Sequence, residues 1–159
     1  NNLSINVFLN EQCKNAMNLK DFMNQVRISL EDLLYTKNHG YVAGISNIFI
    51  KNLKDIEPTE RPIHCSSIEN QQFYVKDENK WEHNKNSSKL DKGIDTISHK
   101  QIKKIKDWEK DHPDWTNTDE GVEQYMTMIK EIMNITEKSK IDIKKELGCS
   151  MDIKPLIQK

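Results

Sequence analysis

Apolar residues in the first sixty positions recur mostly at helical spacing. In residues 4–17, Ile5, Phe8, Leu9, Cys13 and Ala16 share one helical face. Asn10, Glu11, Gln12, Lys14 and Asn15 fall largely opposite. Ile5, Val7 and Leu9 also alternate like a strand, but the grouping of the polar residues favours a helix. Asn18-Leu19-Lys20-Asp21 reads as an N-cap with an acidic first turn. Leu19, Phe22, Met23, Val26, Leu30, Leu33 and Leu34 then predict one uninterrupted helix ending near His39-Gly40. Val42, Ile45, Phe49 and Leu53, with Ile48 and Ile56 at the margins, form a second stripe that Pro58 stops. Two amphipathic helices joined at a glycine predict an antiparallel hairpin.

The period then shortens to two. Pro62 pushes Arg61 toward extended geometry. Ile63 and Cys65 face one way and His64 the other, and Phe73 and Val75 alternate with Gln72, Tyr74 and Lys76. Asp77-Glu78-Asn79 is turn material, and Trp81 opens a return strand. The expectation is an antiparallel meander of two or three strands near residues 61–83, too small to stand without the helices. After a polar link, Ile94, Ile97, Ile102, Ile105 and Trp108 occupy one helical arc, with Lys103, Lys106 and Lys110 opposite, and His112-Pro113 ends it. Asn117-Thr118-Asp119-Glu120 has a capping-box pattern with Asn117 as cap. It leads into the stripe Val122, Tyr125, Met126, Ile129, Ile132, Met133. Ile141 to Leu147 predicts a short helix closed by Gly148, and Pro155 predicts an irregular tail over 150–159. Residues 1–159 are thus expected to form a single α+β domain, mainly α, with four to six helices.

Charge adds exclusions more than functions. The chain has 159 residues, of which 31% are charged, yet its net charge is only -1. That balance offers no global attraction to nucleic acid or to an anionic membrane. No apolar run is long enough to span a bilayer, and no signal peptide is visible. Arg27 and Arg61 are the only arginines among 24 basic side chains, and Asn and Ile are abundant. Lys, Asn and Ile share A/T-rich codons, which suggests an A/T-rich genome. Cys13, Cys65 and Cys149 are far apart and form no CxxC pair, a pattern of a reducing, intracellular compartment. The first residue is Asn1, so the chain is expected to be a C-terminal fragment of a longer protein, with 1–4 the end of a linker.

Four groups of residues invite a chemical reading. His64 and Cys65 suggest a Cys–His nucleophile, but neighbours on a strand point to opposite faces and cannot pair with each other. A small buried hydrophobe explains Cys65 more simply. Cys13, His64, Cys65, His83, His99 and Cys149 lack the close spacing of a structural zinc site. The many carboxylates between Asp91 and Glu120 sit among lysines, as on a solvated helix face. Lys100, Lys103, Lys104, Lys106 and Lys110 could contact phosphates, with Arg27, Lys76, Lys80 and Lys85 joining them. Trp108 falls on the apolar side of that helix, as core rather than as a base-stacking platform. No Gly-rich phosphate loop, serine elbow or zinc-protease motif is present. No cofactor is expected.

The segment Phe8-Leu9-Asn10-Glu11-Gln12-Cys13-Lys14-Asn15-Ala16-Met17 is followed by Asp21-Phe22. Glu60-Arg61-Pro62-Ile63-His64-Cys65 and Phe73-Tyr74-Val75-Lys76-Asp77 with Trp81 complete a distinctive set. Over roughly residues 5–135 the chain resembles the uncharacterised C-terminal region of zinc-finger-containing proteins of large nucleocytoplasmic DNA viruses, of the mimivirus and phycodnavirus kind. There such a region follows a DNA-binding module and an Asn-rich linker. The resemblance carries no catalytic residues. It implies a viral protein of the host cytoplasm (the viral factory) or nucleus. It makes Arg61, Pro62, Ile63, His64, Cys65, Phe73, Val75 and Trp81 a structural motif. The expected function is a non-enzymatic interaction or oligomerisation domain that associates with itself, most simply as a homodimer, or with other viral proteins. Nucleic acid is then bound weakly or through the missing N-terminal module. The alternatives are direct nucleic-acid binding through the lysine face and a Cys/His enzyme.

Overall fold

A computed structural model describes residues 2–85 and 87–157. Its elements follow the period changes closely. A short helix α1 (Asn2–Val7) passes into a π-helical turn (Phe8–Gln12). Then come α2 (Leu19–Gln25), α3 (Leu30–His39), α4 (Tyr41–Lys54), β1 (Ile63–Ser67), β2 (Gln72–Asp77), β3 (Lys80–Lys85), α5 (Ser88–Asp111), α6 (Asp119–Ile132), α7 (Glu137–Ser150) and α8 (Lys154–Ile157). The fold is α+β and mainly α, with an antiparallel sheet ordered β1-β2-β3. Eight α-helices among the described residues exceed the four to six expected, because one long stripe is split and the C-terminal end adds a short helix.

The split lies at Val26–Ser29. The stripe from Leu19 to Leu34 is not one helix: residues 26–29 are non-helical, with Val26 and Ser29 extended, yet Val26 and Ile28 stay buried. An apolar stripe therefore continues through a backbone break. Ser29 restarts the helix with a capping box, its side chain accepting from the Asp32 amide while the Asp32 carboxylate accepts from the Ser29 amide. The pattern Ser-x-x-Asp was present in the sequence as a signal for this start. Leu34 is exposed, contrary to the continuous-stripe reading.

The α3–α4 hairpin forms as predicted, with Leu33, Ile45 and Phe49 fully buried and Leu30 half-buried. Gly40, at φ +94°, ends α3 and opens α4. The helices cross so closely that a Cβ on Gly44 would lie 2.0 Å from the Thr36 Oγ1. Thr36 is stiff at χ1 and its hydroxyl donates to the Asp32 carbonyl, so it cannot swing away freely. Lys51 on α4 pairs with the buried Asp32 carboxylate, binding the hairpin a second time.

The meander pairs Ile63 with Val75, His64 with Tyr74, and Cys65 with Phe73, then Tyr74 with His83 and Lys76 with Trp81. Glu78 and Asn79 both have positive φ, as a two-residue hairpin turn requires. Ile63, Cys65, Phe73 and Val75 enter the main core with α2 to α7. Tyr74 and Trp81, on the face that also carries His64, pack with Ile5, Phe8, Leu9, Cys13, Ala16 and Ile153 in a second cluster. The sheet is thus covered on both faces at β1 and β2.

The two chain ends depart from expectation. Asn2–Ser4 belong to α1 rather than to a linker, whereas Asn1 lies outside the described residues. The segment expected as an irregular tail is ordered over the described residues. The Cys65 amide donates to the Met151 carbonyl at 2.7 Å and the Ile153 amide to the Cys65 carbonyl at 2.9 Å, a parallel bridge along the free edge of β1. Met151 and Ile153 are buried, and Lys154–Ile157 form α8. Pro155 sits in the first turn of that helix, where its missing amide costs nothing. Residues 158 and 159 lie outside the described residues.

Candidate functional site

The extended motif is built into the interior. Ile63, Cys65, Phe73 and Val75 are buried in the main core, Pro62 is buried, and Trp81 is half-buried. Arg61 donates from Nε to the carbonyls of Leu53 at 2.9 Å and Ile56 at 3.1 Å. It thereby caps the C-terminal end of α4, where unpaired carbonyls and the helix dipole favour a cation.

His64 and Cys65 point to opposite sides, as the strand period requires. The partner of His64 is Cys13, whose Sγ lies 4.0 Å from Nε2. Phe8 and Trp81 enclose the imidazole at ring-centroid distances of 5.9 and 5.7 Å. Burial, reinforced by the Arg61 charge, lowers the His64 pKa to about 4, and a hydrogen bond to the Pro58 backbone only partly opposes this. Burial pushes the Cys13 thiol up to about 11 despite the Lys76 charge, and burial likewise raises Cys65 to about 11. At neutral pH the pair is therefore an imidazole and a thiol, not imidazolium and thiolate. A neutral imidazole keeps one acceptor nitrogen, and Nε2 in that role would take the Cys13 thiol proton as a hydrogen bond. A nucleophilic cysteine needs the thiolate and access to substrate. Cys13 and Cys65 have neither, both being completely buried. The interaction across 51 residues of sequence was invisible to local spacing. Among the described residues, no three His, Cys, Asp or Glu side chains converge as a metal site.

The lysine face divides by role. Lys103, Lys106 and Lys110 are exposed along α5, as their spacing predicted. Lys104 pairs with Asp107 at 2.9 Å. Lys100 does not belong with them: its Nζ donates to the carbonyls of Met23 at 2.7 Å and Val26 at 2.8 Å, capping α2. Burial, aided by the charges of Arg27 and Lys103, lowers its pKa. Lys76 is also absent from any strip, because its buried ammonium donates to the Lys14 and Ala16 carbonyls. Arg27 turns back onto the Asn24 carbonyl. Lys80 is exposed on β3, distant in sequence from α5, and the Lys85 side chain lies outside the described residues. What remains for phosphate is three lysines interleaved with Asp107, Glu109 and Asp111.

Among the described residues, the most exposed large hydrophobic side chain, Met126, lies on α6. Met128 and Ile132 are its buried residues, and Tyr125 and Ile129 are half-buried. Val122, Met126 and Met133, part of the predicted apolar stripe, are instead exposed, Met126 by 60% and Met133 by 50%. This second stripe is displaced about a quarter turn from the buried one. Leu34 and Tyr35 on the adjoining α3 add exposed apolar area. Charge is segregated along the flank of that stripe. Asp119 and Glu123 flank it in the first half of α6 and Lys130 in its last turn, whereas Glu120 and Glu131 lie on the far side of the helix. Lys37 and His39 occupy the last turn of α3 at that same end, where the Glu131 carboxylate approaches Gly40. Comparison with family models, curated proteins and solved structures finds no match for this chain.

Proposed function

We propose that this domain is a self-association module whose interface is the exposed face of α6 with the edge of α3. The observation that carries the reading is the second apolar stripe, Val122, Met126 and Met133, which the monomer core does not use. Its occupant is a second copy of the chain. An antiparallel pairing of two α6 helices about a two-fold axis near Met126 and Ile129 joins stripe to stripe. It also lays the acidic first half of each helix over the Lys130 end of the other and opposes their dipoles. In a longer protein with a DNA-binding module, as the viral resemblance implies, such pairing would raise the effective concentration of that module on DNA.

Direct nucleic-acid binding is the weaker reading. Salt-dependent affinity grows with the number of phosphates neutralised together, and two of the five candidate lysines are committed to Asp107 or to the α2 carbonyls. The Cys/His enzyme finds no support in a buried neutral pair. Among the described residues no helix is long and apolar enough to cross a membrane. Sedimentation of the wild type and of Met126→Lys tests the proposal. The expected result is a dimer that becomes a folded monomer in the variant. A wild type that stays monomeric at every concentration up to the millimolar range overturns it.

A further inference from the structure

The turn between α5 and α6 carries an aromatic cleft that self-association does not require. Trp108, near the end of α5, is 3% exposed and forms its floor. Its ring stacks on His112 at 4.2 Å. Trp115 stands in a 3-10 turn (Trp115–Asn117) and stacks on Tyr125 of α6 at 3.9 Å. The two tryptophan rings meet at 6.5 Å and 58°, so Trp115, backed by Tyr125, and Trp108, with His112, form two walls set at an angle. The turn is pressed onto α6: a Cβ on Gly121 would lie 2.3 Å from the Trp115 carbonyl oxygen. Only glycine permits this approach, and the approach sets the position of Trp115.

A cavity of about 360 Å³ opens between these walls, with Asp111, Asp114 and Glu120 at its rim and no lysine or arginine in its lining. Among the described residues none of these three carboxylates takes part in an ion pair, although lysines are abundant elsewhere on the surface. Trp115 lines the cavity and remains half-buried, so ring surface is left for a ligand. Ring faces and carboxylates attract the same thing, a cation. Among the described residues no three acidic, histidine or cysteine side chains converge closely enough to ligate a metal ion. Aromatic walls favour a cation that sheds water easily and brings apolar surface with it.

We propose that this cleft binds an alkylammonium group, the side chain of a lysine, bare or N-methylated, on a partner polypeptide. The alkyl stem would lie against Trp115 and the ammonium would face the tryptophan rings and the Asp111, Asp114 and Glu120 carboxylates. The proposal does not depend on the α6 dimer, and a monomeric protein can be tested equally well.

The test uses capped Ala-Xaa-Ala tripeptides in which Xaa is lysine, trimethyllysine or acetyllysine. Binding is read from tryptophan fluorescence and from the indole N–H resonances of Trp108 and Trp115. The charged peptides are expected to saturate both signals and to bind about tenfold tighter than acetyllysine, in keeping with the strength of a partly desolvated cation–π contact. Tighter binding of trimethyllysine assigns the dominant attraction to the rings, and tighter binding of lysine assigns it to the carboxylates. Trp115→Ala should abolish the response of the remaining Trp108 resonance. Because that change also removes a stacking partner of Tyr125, Asp114→Asn with Glu120→Gln is the second variant, expected to weaken binding several-fold and flatten its salt dependence. Equal binding of acetyllysine, no saturable signal up to millimolar peptide, or unchanged binding in both variants overturns the proposal.

Discussion

Helices α4 and α6 have the same length, 14 residues each, and opposite fates. α4 buries Tyr41, Gly44, Ile45, Ser46, Ile48, Phe49 and Leu53, and packs on α3, α5 and α7. α6 buries only Met128 and Ile132 and leaves a methionine-rich stripe in solvent. Both sequences are amphipathic, so amphipathicity alone does not say which apolar face is used. A helix surrounded by neighbours consumes all its apolar surface, whereas a helix at the margin keeps some for another partner. Methionine suits that second role, since its flexible, polarisable side chain adapts to an incoming surface.

The contrast is most directly broken by truncating one side chain in each helix. Phe49→Ala should cost about 3–5 kcal/mol, the range for emptying a packed aromatic site. Met126→Ala should change the stability of the monomer by less than about 0.5 kcal/mol. Urea unfolding of both variants checks this, at a protein concentration where the wild type is monomeric. Equal losses would mean that α6 is as integral to the core as α4.

Acid separates folding from association. The folded His64 pKa of about 4 lies below its unfolded value near 6.5, so between those limits the unfolded chain binds the extra proton. The stabilisation is whole above about pH 6.5 and is lost as pH falls through about 4. Its size is on the order of 3 kcal/mol by linkage. His64→Gln should flatten this part of the pH profile in a stability titration relative to the wild type. A wild-type and variant difference independent of pH from 7 to 4 would show that His64 does not titrate this way.

Close packing offers a finer comparison. Gly44→Ala should cost about 1–3 kcal/mol, because the added methyl meets the stiff Thr36 side chain rather than a movable end. Thermal unfolding of Gly44→Ala alone and with Thr36→Ala would show partial rescue if that contact is the cause. The smallest effect on folding belongs to the surface. Lys103→Glu with Lys106→Glu should leave the melting temperature nearly unchanged. DNA affinity should stay no tighter than roughly 10⁻⁴–10⁻⁶ M at physiological salt with or without the change. Nanomolar binding lost in the double variant, measured by salt-titrated anisotropy, would put the lysine face at the centre of function.

Sequence by itself determined the helical stripes of α4 and α5, the junction at Gly40, and an antiparallel meander turning at residues 77–80. These are local properties: period, capping and turn chemistry act within a few residues. It did not determine which polar groups the fold would bury. Arg61, Lys76 and Lys100 look like surface cations, yet each donates to backbone carbonyls, and the Lys76 and Lys100 partners lie 60 to 77 residues away. His64 finds Cys13, and the segment after α7 finds the edge of β1, over similar distances in sequence. Only tertiary structure decided these, because burying a charged donor is costly unless an acceptor offsets it, and here that acceptor belongs to another element. The same holds for α6. Its pattern showed that it had apolar residues to bury. The positions of its neighbours decided that Met128 and Ile132 would be covered and that Val122, Met126 and Met133 would not, because neighbouring elements reach only one side of the helix.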